Sequence, residues 1–200
     1  MINLIFASGE NGEFGTANGL PWERNKADME HFKESTSGGA VLMGYKTFET
    51  LGSKPLKDRL NIVLTNDFPD QMEAGYDLSR LDEGLVFIKQ YKGIDTLPIY
   101  YQEGLTTIIK DVEKMISPKY KDLWVIGGVE LLRAALPIAD QVLHTEIHKL
   151  TGEEVTKKLY KLGFFEYLYE PSLFTLIGSL KSDDGSCTLK RYVPTVKGRF

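Results

Sequence analysis

Two segments of this chain have the form apolar strand, glycine, helix: Val41-Leu42-Met43-Gly44-Tyr45-Lys46-Thr47 and Val125-Ile126-Gly127-Gly128. Glycine lets the backbone come close to a ligand, and the N–H groups at the start of the following helix attract anions. Lys46 and Thr47 add a cation and a hydroxyl where a phosphate would sit. A strand-to-helix turn uses glycine anyway, so either segment alone has a purely structural reading. Two of them in one parallel sheet better suit a dinucleotide, whose phosphates need more than one cradle. Gly-x-Gly-x-x-Gly is absent from both.

The other elements follow the same alternation. Strands are expected at residues 2–8, 40–43, 60–65, 99–102 and 123–126, and helices at 25–36, 44–51, 105–116 and 128–136, where Pro137 ends the last. Residues 141–148 alternate. Residues 174–181 and 187–193 flank the turn Ser182-Asp183-Asp184-Gly185 and read as a hairpin. Residues 9–19 hold four glycines and read as a long flexible loop. The fold class expected is α/β, with a mixed, mainly parallel central sheet, helices on both faces and an antiparallel C-terminal hairpin. Residues 67–97 mix Pro, Gly and Asp with one apolar run, Leu85-Val86-Phe87-Ile88. They read as a surface insertion within a single domain over residues 1–200.

Residues 20–33, Leu-Pro-Trp-Glu-Arg-Asn-Lys-Ala-Asp-Met-Glu-His-Phe-Lys, carry the chemistry. Asp28 stands beside a helix face formed by Met29 and Phe32, three apart. Desolvation raises the cost of a carboxylate charge there, and such groups manage proton transfer to heterocycles. The structural reading is an acid in the first helical turn, three residues after an Asn25 N-cap. His31 falls on the outer side of the helix pattern, and His144 and His148 in the alternating strand.

A net charge of −4 over 200 residues, with no basic run, argues against nucleic acid as a partner. The single Cys187 rules out an internal disulfide, fits a reducing compartment, and reads as a strand residue. No apolar stretch approaches membrane-spanning length, and the N-terminus lacks the basic start of a signal peptide. No His, Cys or acid cluster has metal-site spacing, so no metal is expected.

Taken together, these residues resemble the dihydrofolate reductase family. Met1-Ile2-Asn3-Leu4-Ile5-Phe6-Ala7 is similar to its first strand, and Asn18-Gly19-Leu20-Pro21-Trp22 to the end of its mobile loop. Asp28 falls where the family's active-site acid falls. Phe32-Lys33, Met43-Gly44-x-x-Thr47-Phe48-Glu49, Arg59 before Asn61-Ile62-Val63-Leu64-Thr65, Val125-Ile126-Gly127-Gly128 and Thr145 continue the pattern in order. The resemblance covers about residues 1–66 and 98–193.

The resemblance implies NADPH-dependent reduction of 7,8-dihydrofolate to tetrahydrofolate in the cytoplasm, by a monomer or homodimer that also takes antifolate-like small molecules. Asp28 would bind the pterin and favour protonation at N5, Trp22 would order a water near it, Thr145 would support the acid, and Leu20 would close over the nicotinamide. Ile5, Ala7, Met29, Phe32, Leu56 and Ile126 would wall the substrate pocket, with Lys33 nearby, and Arg59 would fork onto the glutamate tail. Ala7, Gly15, Asn18 and Gly19 would contact NADPH. So would Gly44, Tyr45, Lys46, Thr47, Leu64, Thr65, Asn66, Gly127, Gly128, Val129, Glu130 and Leu132. Three departures stand out: Lys57-Asp58-Arg59 where Pro-Gly-Arg is usual, Tyr45 and Glu130 where relatives often place basic residues, and Leu132 for a tyrosine. Glu153 would brace the mobile loop. The alternatives are a related-fold pyrimidine reductase of riboflavin synthesis and an inactive scaffold.

Overall fold

The computed structural model describes residues 1–16, 19–65, 76–77, 84–89, 98–117, 119–152, 154–159 and 164–195. In chain order these form β1 (Ile2–Gly9), β2 (Glu13–Gly15), α1 (Lys26–Thr36), β3 (Ala40–Gly44), α2 (Tyr45–Thr50), β4 (Leu60–Thr65), β5 (Tyr76–Asp77), β6 (Leu85–Lys89) and α3 (Pro98–Ile116). They continue with β7 (Leu123–Gly127), α4 (Val129–Ala135), a 3-10 turn (Leu136–Ile138), β8 (Gln141–Ile147), β9 (Lys157–Lys158), α5 (Phe164–Leu168), β10 (Phe174–Lys181) and β11 (Cys187–Pro194). The fold is mixed α/β and mainly parallel, and it ends in an antiparallel hairpin, as the sequence implies.

The chain divides into two compact units. One holds Met1–Ile2 and Thr36–Ile138, the other Asn3–Ser35 and Ala139–Phe200. In the first, the strand order is β7-β3-β4-β6-β5. β3 pairs parallel with both β4 and β7, β4 pairs parallel with β6, and β5 closes the edge antiparallel. Ala40, Val41, Leu42 and Met43 are all fully buried, as expected of an interior parallel strand with no polar face. α3 buries Leu105, Ile109, Val112 and Ile116, a stripe at helical spacing. The Thr106 hydroxyl donates to the Ala134 carbonyl at 2.9 Å, tying α3 to α4.

In the second unit the order is β10-β11-β8-β1. β1 and β8 run parallel, with Ala7 opposite Thr145, and β11 pairs antiparallel with β8 and β10. Phe6 stacks on His144 at 4.8 Å and meets Phe164 edge-on at 5.2 Å. Ser8 Oγ lies 2.8 Å from His144 Nε2. Burial, and then the Lys190 charge, push the His144 pKa down to about 3, so the ring is neutral in the folded protein.

Four expectations are corrected. Residues 99–102 are helix, not strand. A short apolar run does not distinguish a buried strand from a helix, and Pro98 takes the first helical position, where its missing N–H costs nothing. The glycine-rich loop at 9–19 contains β2, which pairs antiparallel with the distant β9. The alternation at 141–148 does not appear in burial. Residues 142–145 are all buried, because β8 is flanked by β1 and β11. The strand inside residues 67–97 is not a surface feature: β6 pairs parallel with β4, and Leu85 is 0 % exposed.

Leu85→Ala is therefore expected to lower stability by about 2–5 kcal/mol, through lost transfer energy and a cavity beside β4. Denaturant unfolding checks this, and a change below about 0.5 kcal/mol would mean that β6 is peripheral. The lowered His144 pKa gives a second expectation. Between pH 6.5 and about 3 the unfolded chain holds a proton that the folded protein lacks, so stability is lost as pH falls through that window. His144→Gln should flatten that slope, by at most about 1.4 kcal/mol per pH unit. Identical pH–stability profiles for the two proteins would contradict it.

Candidate active site

Asp28 occupies the first turn of α1 and is half-buried. Asn25 caps the helix: the Asp28 N–H donates to Asn25 Oδ1 at 3.0 Å, and the Met29 N–H to the Asn25 carbonyl at 3.1 Å. The structural reading of this segment thus holds, and the cap fixes where the carboxylate starts from. Desolvation raises the Asp28 pKa above its ordinary value near 3.8, while a hydrogen bond from the Thr145 side chain and the field of His31 act the other way. Thr145 is fully buried in β8 opposite Ala7, so the β1–β8 register sets the hydroxyl under the acid.

His31 is half-buried and senses Asp28 electrostatically, which corrects its placement on the outer side of the helix. Three residues along a helix return to the same face, so the signal was in the spacing. Burial lowers the His31 pKa, and Asp28 and Glu34 oppose that shift.

An open pocket of about 510 Å³ is lined by Leu20, Trp22, Glu23, Arg24, Asn25, Asp28 and Met29. It brings together five of the residues singled out in the sequence, Leu20, Trp22, Asn25, Asp28 and Met29, and adds Glu23 and Arg24. Arg24 Nε lies 3.1 Å from Met29 Sδ, so the arginine stem runs along the pocket wall. Leu20 and Met29 are 56 % and 44 % exposed, as apolar groups at an open mouth must be. Trp22 is buried on Ile147 and Cys187, with Ala7, Ala27, Leu150 and Leu189 around them. Cys187 is therefore a floor residue. Burial raises its thiol pKa, in keeping with an inert strand cysteine. Nearby, Ile5 is buried, Ala7 and Phe32 are half-buried, and Lys33 is exposed. Gly15 lies in β2, and the loop beyond it closes through Thr16 N–H to the Gly19 carbonyl at 2.8 Å.

The other unit carries two features of its own. Gly44 and Gly128 are the N-caps of α2 and α4, and neither helix has a side-chain cap. A Cβ on Gly44 would stand 3.7 Å from the Gly128 N, and one on Gly128 3.7 Å from Thr47 Oγ1. The two turns therefore lie against each other as a backbone-lined cradle. The Gly127–Gly128 peptide is cis. Around it, Tyr45, Lys46 and Glu130 are exposed, Thr47, Ile126 and Val129 half-buried, and Leu64, Thr65 and Leu132 buried. Glu130 pairs with Arg133 at 3.5 Å, a cation the sequence reading did not single out.

The second feature is the turn at residues 56–60. Arg59 donates through Nε to the Lys57 carbonyl at 2.8 Å and through Nη1 to Thr36 Oγ1 at 2.9 Å. Leu56 is half-buried, and its N–H donates to Asn61 Oδ1 at 2.9 Å. Asp58 has a φ of +59° in this turn, where relatives would place a glycine. Asn18, Asn66 and Glu153 lie outside the described residues. Among the described residues no group of His, Cys, Asp and Glu could hold a metal, and no helix is long and apolar enough to cross a membrane.

The dihydrofolate reductase family model matches residues 1–99, a span that includes the whole of the 67–97 segment. A dihydrofolate reductase of Bacillus subtilis (strain 168) is 33% identical over 148 residues, 74% of this chain and 70% of its own. One of Heliothis virescens is 34% identical over 159 residues, 74% of each chain. One of Lactococcus lactis subsp. lactis is 28% identical over 171 residues, 85% of this chain and 86% of its own. Among solved structures, dihydrofolate reductase from Enterococcus faecalis, complexed with NADP(H) and RAB-propyl, matches with a TM-score of 0.65. It is 22% identical and covers 98% of this chain and 97% of that one, a likeness of fold. With an acid held by Thr145 over a Trp22 floor, a paired-glycine cradle and these relatives, the chain belongs to the dihydrofolate reductase family.

Proposed function

We propose that this protein reduces 7,8-dihydrofolate to 5,6,7,8-tetrahydrofolate with NADPH. The observation that carries the reading is the desolvated Asp28 carboxylate, supported by Thr145 and opening into the pocket over Trp22. Neither a pyrimidine reductase nor an inactive scaffold needs this arrangement, and the comparisons do not favour them. Assembly as a monomer or homodimer, and a cytoplasmic location, belong to the same proposal.

The paired glycines fit the dinucleotide. Two helix starts without side-chain caps present backbone N–H groups, and no Cβ stands in the way. Gly44, Thr47, Gly127 and Gly128 would hold its phosphates, with Lys46, Tyr45, Val129 and Glu130 at the margin. Leu64, Thr65, Asn66, Leu132, Gly15, Asn18 and Gly19 complete the proposed contacts. When bound, NADPH supplies the hydride that C6 of the substrate accepts.

The chain's own residues orient the substrate and manage its proton. Asp28, ionised, accepts from the 2-amino group and N3 of the pterin and raises the proton affinity of N5. Thr145 steadies the carboxylate, and Trp22 keeps the floor rigid. Ile5, Ala7, Met29, Phe32, Leu56 and Ile126 offer apolar surface to the ring and aminobenzoyl group, and Leu20 covers the reacting edge. Such positioning in a dry site does most of the work when the hydride comes from a cofactor. Arg59 takes a carboxylate of the glutamate tail through its planar fork, and Lys33 is a further proposed substrate contact.

Asp28→Asn should remove most turnover at neutral pH, with the loss shrinking as the solution becomes more acidic. It should also raise thermal stability at pH 7. An acid whose pKa is raised on folding keeps its proton where the unfolded chain has lost it, so its ionisation costs stability above about 3.8. Steady-state kinetics and thermal melts across pH check both halves. Near-wild-type turnover at pH 7 would refute the assigned role, and a lower melting temperature would refute the strain.

Arg59→Lys should weaken folate binding about 10- to 150-fold, the value of a charge-assisted hydrogen bond, and leave NADPH binding nearly unchanged. Separate fluorescence titrations of the two ligands measure this. Equal losses for both would remove Arg59 from the tail site.

A further inference from the structure

β4 is apolar except for Asn61 and the terminal Thr65. Asn61 sits among Leu60, Ile62, Val63 and Leu64 and is 0 % exposed. A buried carboxamide is costly unless its donors and acceptor are used. Those of Asn61 are used on the turn that precedes the strand and on Gly84. Oδ1 accepts the Leu56 N–H at 2.9 Å, and Nδ2 faces the carbonyls of Leu56 at 2.9 Å, Arg59 at 3.1 Å and Gly84 at 3.2 Å. The Asn61 N–H also donates to the Gly84 carbonyl, at 2.6 Å. One side chain therefore fixes both ends of the turn that carries Leu56 and Arg59, and links it to the residue that opens β6.

Gly84 is constrained twice. Its φ is +69°, and a Cβ there would stand 3.0 Å from the Arg59 carbonyl oxygen. Any other residue must push on the backbone of Arg59. The arginine side chain is oriented from the other direction by the Lys57 carbonyl and Thr36 Oγ1. With its carbonyl accepting from Asn61, Gly84 leaving room behind it, and its guanidinium donating to Lys57 and Thr36, Arg59 is preorganised before any ligand arrives, which saves the entropy of ordering it on binding.

We infer that Asn61 and Gly84 are positioning residues for the substrate's anionic tail, and that the start of β6, inside the segment that reads as an insertion, is mechanically part of the folate site. The inference rests on the reading of Arg59 as the tail clamp. Asn61 itself touches no substrate. It acts by setting where the Arg59 fork points.

The test compares folate, a pteroate-type ligand that lacks the glutamate, and NADPH as titrants of the full-length protein. Asn61→Asp keeps Oδ1 and removes the donors. Gly84→Ala leaves Asn61 intact and presses on the Arg59 carbonyl, so it serves if Asn61→Asp does not fold. Each should weaken folate binding at least about fivefold, the scale of one hydrogen bond. The tailless ligand and NADPH should stay within about twofold. KM for dihydrofolate should rise with kcat nearly constant. Adding either change to Arg59→Ala should cost folate nothing further, since the clamp is already gone. If the tailless ligand weakens as much as folate, the turn is merely structural and the inference falls. It falls also if neither variant moves folate binding. If Arg59→Ala itself treats the two ligands alike, the clamp reading fails, and that result is seen without either new variant.

Discussion

A carboxylate taken out of water has to be compensated by its neighbours, and the half of the molecule around Asp28 is arranged by that requirement. The Asn25 cap fixes the start of α1 and so the position of the acid. The β1–β8 register puts Thr145 beneath it. Trp22, seated on Ile147 and Cys187, closes the floor with indole in place of water. The compensation is partial: the remaining shift is upward, and desolvation is its largest cause. That residue of unfavourable energy leaves an acid that prefers a ligand offering it hydrogen-bond donors over an empty pocket.

The same strand carries the opposite solution one residue away. His144 turns from Thr145 to the other side of β8 and meets Phe6 and Ser8. It is as buried as Thr145, yet it stays neutral, and nothing in the pocket depends on its charge. Adjacent positions on a strand face opposite ways, so one short segment supports a reactive carboxylate on one face and seals a core on the other. The pH dependences have opposite signs. Acidification through the overlapping window relieves Asp28 and strains the fold at His144.

Much of this was legible in the sequence because it rests on local chemistry. The strand–glycine–helix turns, the Asn25 cap, the C-terminal hairpin and the lone acid are each defined by residues close together in the chain. What escaped is non-local or ambiguous in period. β2 exists only because β9, more than a hundred residues away, pairs with it, and a three-residue strand has no periodicity of its own. Residues 99–102 carry an apolar run that fits either element, and only the helix continuing from Pro98 decides it. His31 was misplaced because the helix face was drawn from apolar residues alone. Its separation of three from Asp28 was the better guide. The placement of the acid, its cap and its supporting threonine came through. The lining residues Glu23 and Arg24 did not, since a charged residue at a pocket rim looks like any other surface charge.

Asn61 shows the limit most clearly. Within Leu-Asn-Ile-Val-Leu-Thr it reads as a mild flaw in a buried strand, and strand propensity alone would count it as a loss. The flaw disappears once its four contacts are followed, because each ends on the turn that presents Leu56 and Arg59 or on the glycine behind it. A buried polar group is tolerated where its hydrogen bonds are complete, and completeness requires partners at fixed positions. The turn cannot shift without stranding the carboxamide, and the carboxamide cannot be replaced without loosening the turn. Sequence patterns record which residues avoid water. They do not record which backbone groups a buried amide will hold, and in this fold that is where the geometry of the turn at residues 56–60 is set.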